Sequence, residues 1–249
     1  MVKKIFDTLV LMFGGCLGLG FIVSIVEKIQ EKRGWAEGHK PKGIYEKYMK
    51  RPMDFALALF VLLIFWPILL IIAIAVRINI GSPVFFNQER PGLGGKIFSI
   101  YKFRTMTDVR DDEGNLLPDE ERHTKFGVWL RRISGDEWCE LWNIVRGDLS
   151  IIGPRPLLKE YMPYYSEEEA HRHDVRPGLT GLAQVNGRNN LDWDKRFSTD
   201  VEYVNNITFM TDVKILFKTI KKVISHEDVL EDTSKGETNF AEERKAGRI

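Results

Sequence analysis

The sequence predicts a helix-rich α/β fold that is attached to a membrane by two apolar segments. Two uncharged apolar runs, residues 8–26 and 55–76, are each about long enough to cross a ~30 Å hydrocarbon core as a helix. Between residue 78 and about residue 228, the apolar side chains instead follow helical and alternating patterns, which indicates a globular part. The length of 249 residues predicts one domain or two.

The first apolar run predicts a retained N-terminal membrane helix over residues 1–27. Lys3 and Lys4 precede the run, as in a signal peptide, but no small-residue cleavage site follows it. We therefore expect this helix to stay in the protein as an extra anchor. A linker rich in Lys and Arg follows over residues 28–51.

The second apolar run predicts a re-entrant membrane hairpin over residues 52–79 that is bent at Pro67. Proline removes a backbone donor and clashes with the preceding helical turn, so a bend is expected in the middle of this run. Arg51 before the run and Arg77 after it favour an entry and an exit on the same face of the membrane. The alternative is a kinked helix that spans the bilayer.

The globular part is predicted over residues 80–228. Residues 80–86 are typical of a turn followed by a short strand, and residues 97–104 are typical of a second strand. The turn-rich residues between them could join the two strands into a hairpin. Helical spacing of apolar residues predicts helices over these ranges: 126–132, 137–145, 157–173 and 211–225. Lysines on the last helix predict either contact with anionic lipid or a solvated face. The polar tail, residues 229–249, is predicted to be disordered.

Composition excludes several classes of function. A formal net charge of +1 gives no support for nucleic-acid binding, which usually requires a basic excess. Cys16 and Cys139 are too few and too far apart in sequence for a disulfide framework, so a reducing compartment is expected. No Cys/His cluster has the spacing of a zinc site. We expect His171 and His173 on a solvated helix face.

Asp136 and Glu137 are the most informative residues of the sequence. Ser134 would be the N-cap and Glu137 the third helical residue, which matches a capping box at the start of a helix. A helix start also stabilises an ionised carboxylate and binds phosphate through its backbone N–H groups. Asp136 is therefore a candidate nucleophile on phosphorus, and Glu137 a candidate ligand for a divalent metal. The structural and the chemical interpretations are compatible.

Cationic side chains around this pair are candidate phosphate-binding groups. Arg131 and Arg132 come just before it, and Arg155 lies between two prolines that fix its backbone. Guanidinium groups offer forked donors to phosphoryl oxygens. Lys102 and Arg104 share one face of the second predicted strand and either reach the same site or are solvated. For Arg155 the alternative is a purely structural turn.

Two further residues give weaker signals. Arg188 follows an Asn-Gly turn and is a candidate nucleotide contact. Asp200 is a candidate second metal ligand or polar-site carboxylate, with an ordinary surface acid as the alternative. The sequence has no P-loop, Rossmann glycine fingerprint or evident Ser/His/Asp set.

The motifs together resemble the small monotopic phosphoglycosyl transferases, a family of bacterial sugar transferases. The resemblance extends from Tyr48 to about Val229. Its motifs occur in the family's order: the apolar hairpin with Pro67, Gly81-Ser82-Pro83-Val84-Phe85-Phe86, Arg90-Pro91-Gly92, Tyr101-Lys102-Phe103-Arg104-Thr105-Met106, Asp136-Glu137, Arg146-Gly147-Asp148-Leu149-Ser150, Gly153-Pro154-Arg155-Pro156, Arg176-Pro177-Gly178 and Gln184-Val185-Asn186-Gly187-Arg188.

The resemblance implies a specific reaction. Such an enzyme moves a sugar 1-phosphate from a UDP-sugar to a polyprenyl phosphate, usually undecaprenyl phosphate, and releases UMP. Asp136 would attack the β-phosphate to form a covalent phosphosugar intermediate, and Glu137 would bind Mg²⁺. The family also implies a location at the bacterial inner membrane with the catalytic domain on its cytoplasmic face. This reaction starts lipid-linked glycan synthesis, which makes downstream glycosyltransferases expected partners.

The sequence departs from the family pattern at three positions. Gly135 and Trp138 stand where leucine is common, and Leu182 stands where tryptophan is often found. These changes affect packing and remove no reacting group. Two other functions stay open on the sequence: an inactive membrane-anchored scaffold with the same fold, and an enzyme that acts on phospholipid head groups.

Overall fold

The computed structural model describes residues 2–30, 39–187, 191–225 and 239–247. Its α-helices, in chain order, are α1 (Val2–Gln30), α2 (Lys50–Asn79), α3 (Asp119–Arg122), α4 (Lys125–Arg132), α5 (Glu140–Arg146), α6 (Glu167–Ala170), α7 (Leu182–Asn186), α8 (Trp193–Asn205), α9 (Phe209–Ser225) and α10 (Phe240–Lys245). The strands are β1 (Phe85–Pro91), β2 (Ile97–Phe103), β3 (Ser150–Ile152) and β4 (Gly178–Thr180). The predicted helix-rich α/β composition is confirmed.

Two of the described helical stretches, Lys3–Lys28 and Tyr45–Asn79, are long and apolar enough to cross a membrane by length and composition. The second joins a π-helical turn, Tyr45–Met49, to α2. Helix α1 packs along α2, where Gly20 is needed because a Cβ there would lie 2.6 Å from the carbonyl oxygen of Pro52. Most other apolar side chains of both helices are exposed or half-buried, as expected for surfaces that meet lipid.

Helix α2 continues through Pro67 without a break in its helical assignment. The predicted bend at Pro67 stays a prediction, because a kinked helix can remain helical through its proline. Both ends of α2 nevertheless pack on the same globular part. Asp54, near one end, accepts a 2.5 Å hydrogen bond from the Ser150 hydroxyl. At the other end, buried Val76 belongs to a cluster with Phe103 and Leu130.

Strands β1 and β2 form the predicted antiparallel hairpin, with a register that runs from Phe85 opposite Phe103 to Pro91 opposite Ile97. The first strand begins at Phe85, after the turn predicted at the start of this segment, and it extends to Pro91, beyond the predicted residue 86. Alternation of side chains is a local signal, so the pairing could be found from the sequence. The strand start depends on where the partner strand begins.

Strands β3 and β4 form a parallel pair that the sequence did not reveal. Ser150 pairs with Gly178 and Ile152 with Thr180. The two chains then approach so closely at Gly153 that a Cβ there would lie 2.5 Å from the carbonyl oxygen of Arg176. Three-residue strands carry too little periodicity to be distinguished from loops.

The predicted helix over residues 157–173 is broken into short pieces. They are a 3₁₀ helix (Lys159–Tyr164), α6 and a second 3₁₀ helix (His171–His173). Pro163 lies inside the first piece, and Ser166 starts α6 with a capping box to Glu169. Proline and the cap explain why a continuous helix does not form here.

A buried polar network joins α2 to the globular part through Asp212 of α9. Its carboxylate accepts hydrogen bonds from Lys50 Nζ at 2.6 Å, Tyr45 Oη at 2.7 Å and Tyr203 Oη at 2.8 Å. Tyr203 also donates to the carbonyl oxygen of Ile152. Buried polar groups need hydrogen-bond partners, so this network fixes the position of the N-terminal end of α2 on the globular part.

The predicted disorder of residues 229–249 is wrong for the part that the structure describes. Helix α10 places Phe240, which is fully buried, in an aromatic cluster with Tyr161, Tyr165, Trp193 and Phe197. The polar composition of this tail hid one anchor residue, whose burial depends on aromatic side chains far away in sequence. Residues 226–238 lie outside the described residues.

Candidate active site

Asp136 and Glu137 lie in a 3₁₀ helix, Gly135–Cys139, that leads directly into α5. The predicted capping box is wrong. Ser134 has φ 52° and ψ 26°, which is left-handed backbone, and its side chain makes no cap hydrogen bond. Capping by a serine side chain requires an extended N-cap residue. The Glu137 side chain is therefore available for contacts outside its own helix.

An open cleft of about 950 Å³ contains the carboxylate pair. Seven of the predicted site residues line this cleft: Lys102, Arg104, Arg131, Asp136, Glu137, Arg155 and Asp200. Arg132, the other arginine that precedes the pair, is exposed and does not line it. Arg188 lies outside the described residues. The cleft is both large enough for a nucleotide sugar and strongly cationic, which suits a substrate that carries two phosphates.

Glu137 is held by two cations from different parts of the chain. Lys102 Nζ of β2 lies 2.8 Å from Glu137 Oε1, and Arg155 Nη2 lies 3.0 Å from the same oxygen. The prolines beside Arg155 and the strand under Lys102 fix both backbones. Three sequence-predicted residues are thus brought together in one ion-pair cluster.

The pKa values of the two adjacent acids are shifted in opposite directions. Burial, and then repulsion from Glu137, raise the pKa of Asp136 above the usual range of an aspartate. Burial alone would also raise the pKa of Glu137, but Arg155 and Lys102 outweigh it and lower that pKa to about 2. Glu137 is therefore permanently ionised, while Asp136 is the more basic carboxylate and the better candidate nucleophile.

Glu140 is a site residue that the sequence analysis missed. Its side chain is almost completely buried, and its Oε1 lies 3.1 Å from Lys102 Nζ. Burial, together with the charge of Glu137, raises the pKa of Glu140 to about 7, although Lys102 opposes this. The available signal in the sequence was that Glu140 comes three residues after Glu137, because residues three apart lie on the same face of a helix.

Arg104 and Arg131 support the cleft wall in different ways. Arg104 is buried and donates to the carbonyl oxygens of Ser82 and Met106, and it also pairs with Asp108. Arg131 Nε donates to the Thr105 hydroxyl at 2.8 Å. Most of the Arg104 donors are thus used for the wall itself, which makes its role largely architectural.

Asp200 forms a buried ion pair with Arg172, at 2.7 Å between Oδ2 and Nη2. The surface-acid alternative for Asp200 is therefore wrong, since both side chains are almost completely buried. Arg172 Nη2 also donates to the carbonyl oxygen of Arg155 at 2.8 Å. The pair thus holds the backbone of a cation that contacts Glu137. Arg172 lies between two histidines and carries no recognisable motif, so the sequence analysis missed it.

His173 is half-buried and its Nε2 atom is shielded from solvent, which contradicts the predicted solvated face. Its ring packs edge-on against Tyr165, with centroids 5.4 Å apart. Burial, and then the charge of Arg172, lower the pKa of His173 to about 3. The histidine is therefore neutral in the folded protein at ordinary pH.

The donor set at the carboxylate pair fits a shared magnesium ion. Mg²⁺ is usually bound by one or two carboxylates together with water and substrate phosphates. Both hydrogen bonds of the Glu137 side chain use Oε1, so Oε2 is available to a cation. Within the described residues, no three His, Cys, Asp or Glu side chains form a group that could hold a metal. An ion held by the carboxylate pair would need further ligands from water or substrate phosphates.

Comparison with known proteins identifies the family. A profile of bacterial sugar transferases matches residues 45–226, which is most of the chain. The chain belongs to the bacterial sugar transferase family. This membership makes the protein a transferase and confirms the resemblance seen in the sequence motifs. The matched range begins after α1 and ends before α10.

Relatives within the family are named for related activities. Uncharacterized sugar transferase EpsL of Bacillus subtilis is 54% identical over 181 residues, which are 73% of this chain and 90% of that protein. A UDP-glucose:undecaprenyl-phosphate glucose-1-phosphate transferase of Xanthomonas campestris is 36% identical over 203 residues, 77% of this chain and 42% of the relative. An undecaprenyl-phosphate galactose phosphotransferase of Salmonella typhimurium is 32% identical over 198 residues, which are 73% of this chain and 41% of the relative. The match thus spans less than half of these last two sugar transferases.

Two departures from the family pattern have a structural reason. A Cβ at Gly135 would lie 2.5 Å from Leu130 Cδ1, so the space for a side chain is already filled by α4. The Trp138 ring packs edge-on against Phe65 of α2, with centroids 5.6 Å apart. Both residues therefore affect how the carboxylate pair is packed and leave its reacting groups unchanged.

Proposed function

We propose that this protein transfers a sugar 1-phosphate from a UDP-sugar to a polyprenyl phosphate, with undecaprenyl phosphate as the expected acceptor, and releases UMP. The observation that carries the proposal is the placement of Asp136 beside Glu137, Lys102 and Arg155 in a cationic cleft. Relatives named for undecaprenyl-phosphate glucose and galactose transfer support the class of reaction. We place this reaction at the first membrane step of glycan synthesis.

The first step is a displacement at phosphorus. An oxygen of the Asp136 carboxylate attacks the β-phosphorus of the UDP-sugar, and the bond from that phosphorus to the bridging oxygen breaks. UMP leaves with the bonding electron pair, and an aspartyl-phosphosugar remains. The raised pKa of Asp136 makes this carboxylate more nucleophilic than an ordinary aspartate, while Lys102 and Arg155 offset the negative charge around it.

The second step restores the enzyme. A phosphate oxygen of the polyprenyl phosphate attacks the same phosphorus, and the acyl-phosphate bond to Asp136 breaks. The sugar is now joined to the lipid through a diphosphate, and Asp136 is again a carboxylate. Because UMP leaves before the lipid reacts, ping-pong kinetics are expected.

Mg²⁺ is the proposed cofactor. Glu137, through Oε2, and the diphosphate of the substrate would hold the ion. Asp136 directly precedes Glu137 in the sequence. The ion supplies charge neutralisation on the phosphoryl oxygens during the transfer. Arg131 and Arg155 line the same cleft and add cationic charge from the protein.

The proposed location is the cytoplasmic face of the bacterial inner membrane, with α2 as a re-entrant element. Both ends of α2 contact the same globular part, Asp54 through Ser150 and Val76 through Phe103 and Leu130. A helix that crossed the bilayer would place its ends on opposite faces. Helix α1 would then cross from outside to inside and end beside the domain.

Accessibility labelling tests this topology. Cysteines replace Ile44 and Ile78, which are 75% and 77% exposed, in a background without the two native cysteines. A membrane-impermeant thiol reagent should label both positions from the same side of inverted vesicles. Labelling from opposite sides would refute the re-entrant arrangement.

UMP release in detergent tests the chemistry. The wild type is screened with a panel of UDP-sugars and undecaprenyl phosphate, and the active sugar is used for Asp136→Asn. We expect that variant to lose about 10³-fold or more of the rate, because the nucleophile is gone. The matched control is Asp112→Asn, an exposed aspartate outside the cleft.

Three outcomes would contradict the proposal. Normal UMP release by Asp136→Asn would reject this residue as nucleophile. Absence of UMP release by the wild type across the whole panel would instead favour the inactive scaffold. Activity on phospholipid alone would favour the head-group enzyme.

A further inference from the structure

Helix α1 lies outside the matched family range, yet its last turns contact the catalytic part directly. Glu27 accepts three hydrogen bonds from Arg51 of α2: from Nη2 to Oε1 at 2.6 Å, and from Nε to Oε2 at 2.9 Å and to Oε1 at 3.1 Å. Arg176 Nη2, which follows β3 and precedes β4, lies 3.3 Å from Glu27 Oε2. One carboxylate from the N-terminal helix thus binds two arginines of the part that matches the family.

Both arginines also bind the end of α5. Arg51 Nη1 donates to the carbonyl oxygen of Ile144 at 2.8 Å, and its Nη2 donates to that of Val145 at 3.1 Å. Arg176 Nε donates to the carbonyl oxygen of Gly147 at 2.8 Å. The carbonyl oxygen of Ile144 also accepts from the N–H of Gly147 at 3.1 Å, so Arg51 is its second donor. The carbonyl of Val145 lies in the last turn, where the helix itself supplies no partner, and Arg51 supplies one.

Glu27 lies tightly against this helix end. A Cβ at Gly147 would be 2.9 Å from Glu27 Oε1, and Gly147 has φ 89°, which a residue with a side chain adopts only with strain. Gly147 therefore has a backbone conformation that favours glycine. The absence of a side chain there leaves room for the Glu27 carboxylate. Earlier in α1, the ring of Phe13 packs edge-on against Phe60 of α2, which helps to hold the two helices together.

The end of α5 is connected to the active site by the helix itself. Helix α5 begins with Glu140, directly after the 3₁₀ helix that carries Asp136 and Glu137. Without Glu27, Arg51 and Arg176 would lose the carboxylate that orients them, although both are largely buried. Removal of the negative charge that lies between two largely buried arginines is unfavourable, so the arginines would reorient and release the carbonyl groups of α5.

We propose that Glu27 is a positioning residue for the transfer reaction, which acts through Arg51 and Arg176 on α5 and so on the carboxylate pair. This inference rests on the proposed function for its kinetic consequence. The N-terminal helix is then more than a spare anchor, since it supplies a charge on which the geometry of the active site depends.

The test compares three full-length variants in detergent. Glu27→Gln keeps the shape of the side chain and removes its charge, and we expect kcat for UMP release to fall roughly 5- to 20-fold with KM for the UDP-sugar within about twofold. Glu27→Asp keeps the charge and should recover most of the loss. Asp7→Asn, which removes an exposed charge from the same helix, should behave like the wild type.

Hydrogen–deuterium exchange of the same proteins reports on the contact without any turnover. Amides of residues 140–147 should exchange faster in Glu27→Gln than in the wild type and Asp7→Asn. Unchanged exchange in this segment would overturn the proposal, even if the wild type released no UMP and the proposed function failed. With an active wild type, an unchanged kcat in Glu27→Gln, or an equal loss in Asp7→Asn, would also overturn it.

Discussion

Lys102 Nζ lies 2.8 Å from Glu137 Oε1 and 3.1 Å from Glu140 Oε1, so one lysine of β2 bridges two acids of the neighbouring helical segment. The lysine is mostly buried. Burial alone would lower the pKa of Lys102, but the charge of Glu137, with a further contribution from Glu140, raises it. The cation is therefore fixed in the charged state next to the proposed nucleophile.

Replacement of Lys102 by Met should leave Glu137 and Glu140 without their shared cation. We expect kcat/KM for UMP release to fall about 100-fold or more, because removal of a preorganised charge at a phosphoryl-transfer site costs this order of magnitude. The assay is UMP release with saturating undecaprenyl phosphate. Lys96→Met, at an exposed position of the same hairpin, is the control. Equal rates for the two variants would show that Lys102 has no role in the reaction.

Asp200→Asn should destabilise the protein strongly. The change leaves Arg172 buried without its counter-charge, and breaking a buried pair in this way costs roughly 3–5 kcal/mol. Denaturant unfolding in detergent measures the loss. Glu202→Gln, an exposed position on the same helix, should change the free energy of unfolding by less than about 0.5 kcal/mol. A stability equal to that of the wild type would mean that solvent reaches the pair.

The lowered pKa of His173 predicts that the protein loses stability in mild acid. The pKa of His173 is about 3 in the folded protein and about 6.5 in an unfolded chain, so the unfolded state binds the extra proton between these values. The contribution is fully present above pH 6.5 and is lost as the pH falls towards 3, at roughly 1.4 kcal/mol per pH unit. Unfolding free energies measured between pH 7 and 5 should fall less steeply for His173→Phe. Parallel curves would contradict the half-buried, neutral histidine.

Phe240→Ala tests whether α10 is part of the folded domain. Phe240 contacts several aromatic rings and is fully buried, so its removal leaves a large cavity that costs about 3–5 kcal/mol. Thermal unfolding should show a clear drop in Tm. The control is Phe217→Ala, where the ring is 68% exposed. If both variants unfold at the same temperature, the C-terminal helix does not contribute to the stability of the domain.

Local patterns in the sequence were sufficient wherever the structure depends on neighbours in the chain. The β1–β2 hairpin, α9 and the apolar helices follow from alternation, helical periodicity and length. The residues of the active-site cluster could be named because they belong to motifs of a family. Their ion-pair partners could not be assigned, since Lys102, Glu137 and Arg155 come from three separate segments.

The failures of the sequence analysis share a cause. Ser134 looked like an N-cap, but the packing of Gly135 against Leu130 accompanies a left-handed turn in which a serine cap cannot form. His173 looked solvated because charged residues surround it in sequence, yet Tyr165 covers its ring. Phe240 looked like part of a polar tail until aromatic side chains from other segments enclosed it.

The sequence by itself determined the family and the membrane-compatible helices, and it predicts Asp136 and Glu137 as the chemical centre, because these inferences depend on residue type, spacing and order. Only the tertiary structure decided that Glu137 is bound by Lys102 and Arg155, that Asp200 holds Arg172, and that Glu27 of α1 reaches the end of α5. Contacts between distant segments depend on burial and complementary charge in three dimensions, and a linear pattern does not contain that information.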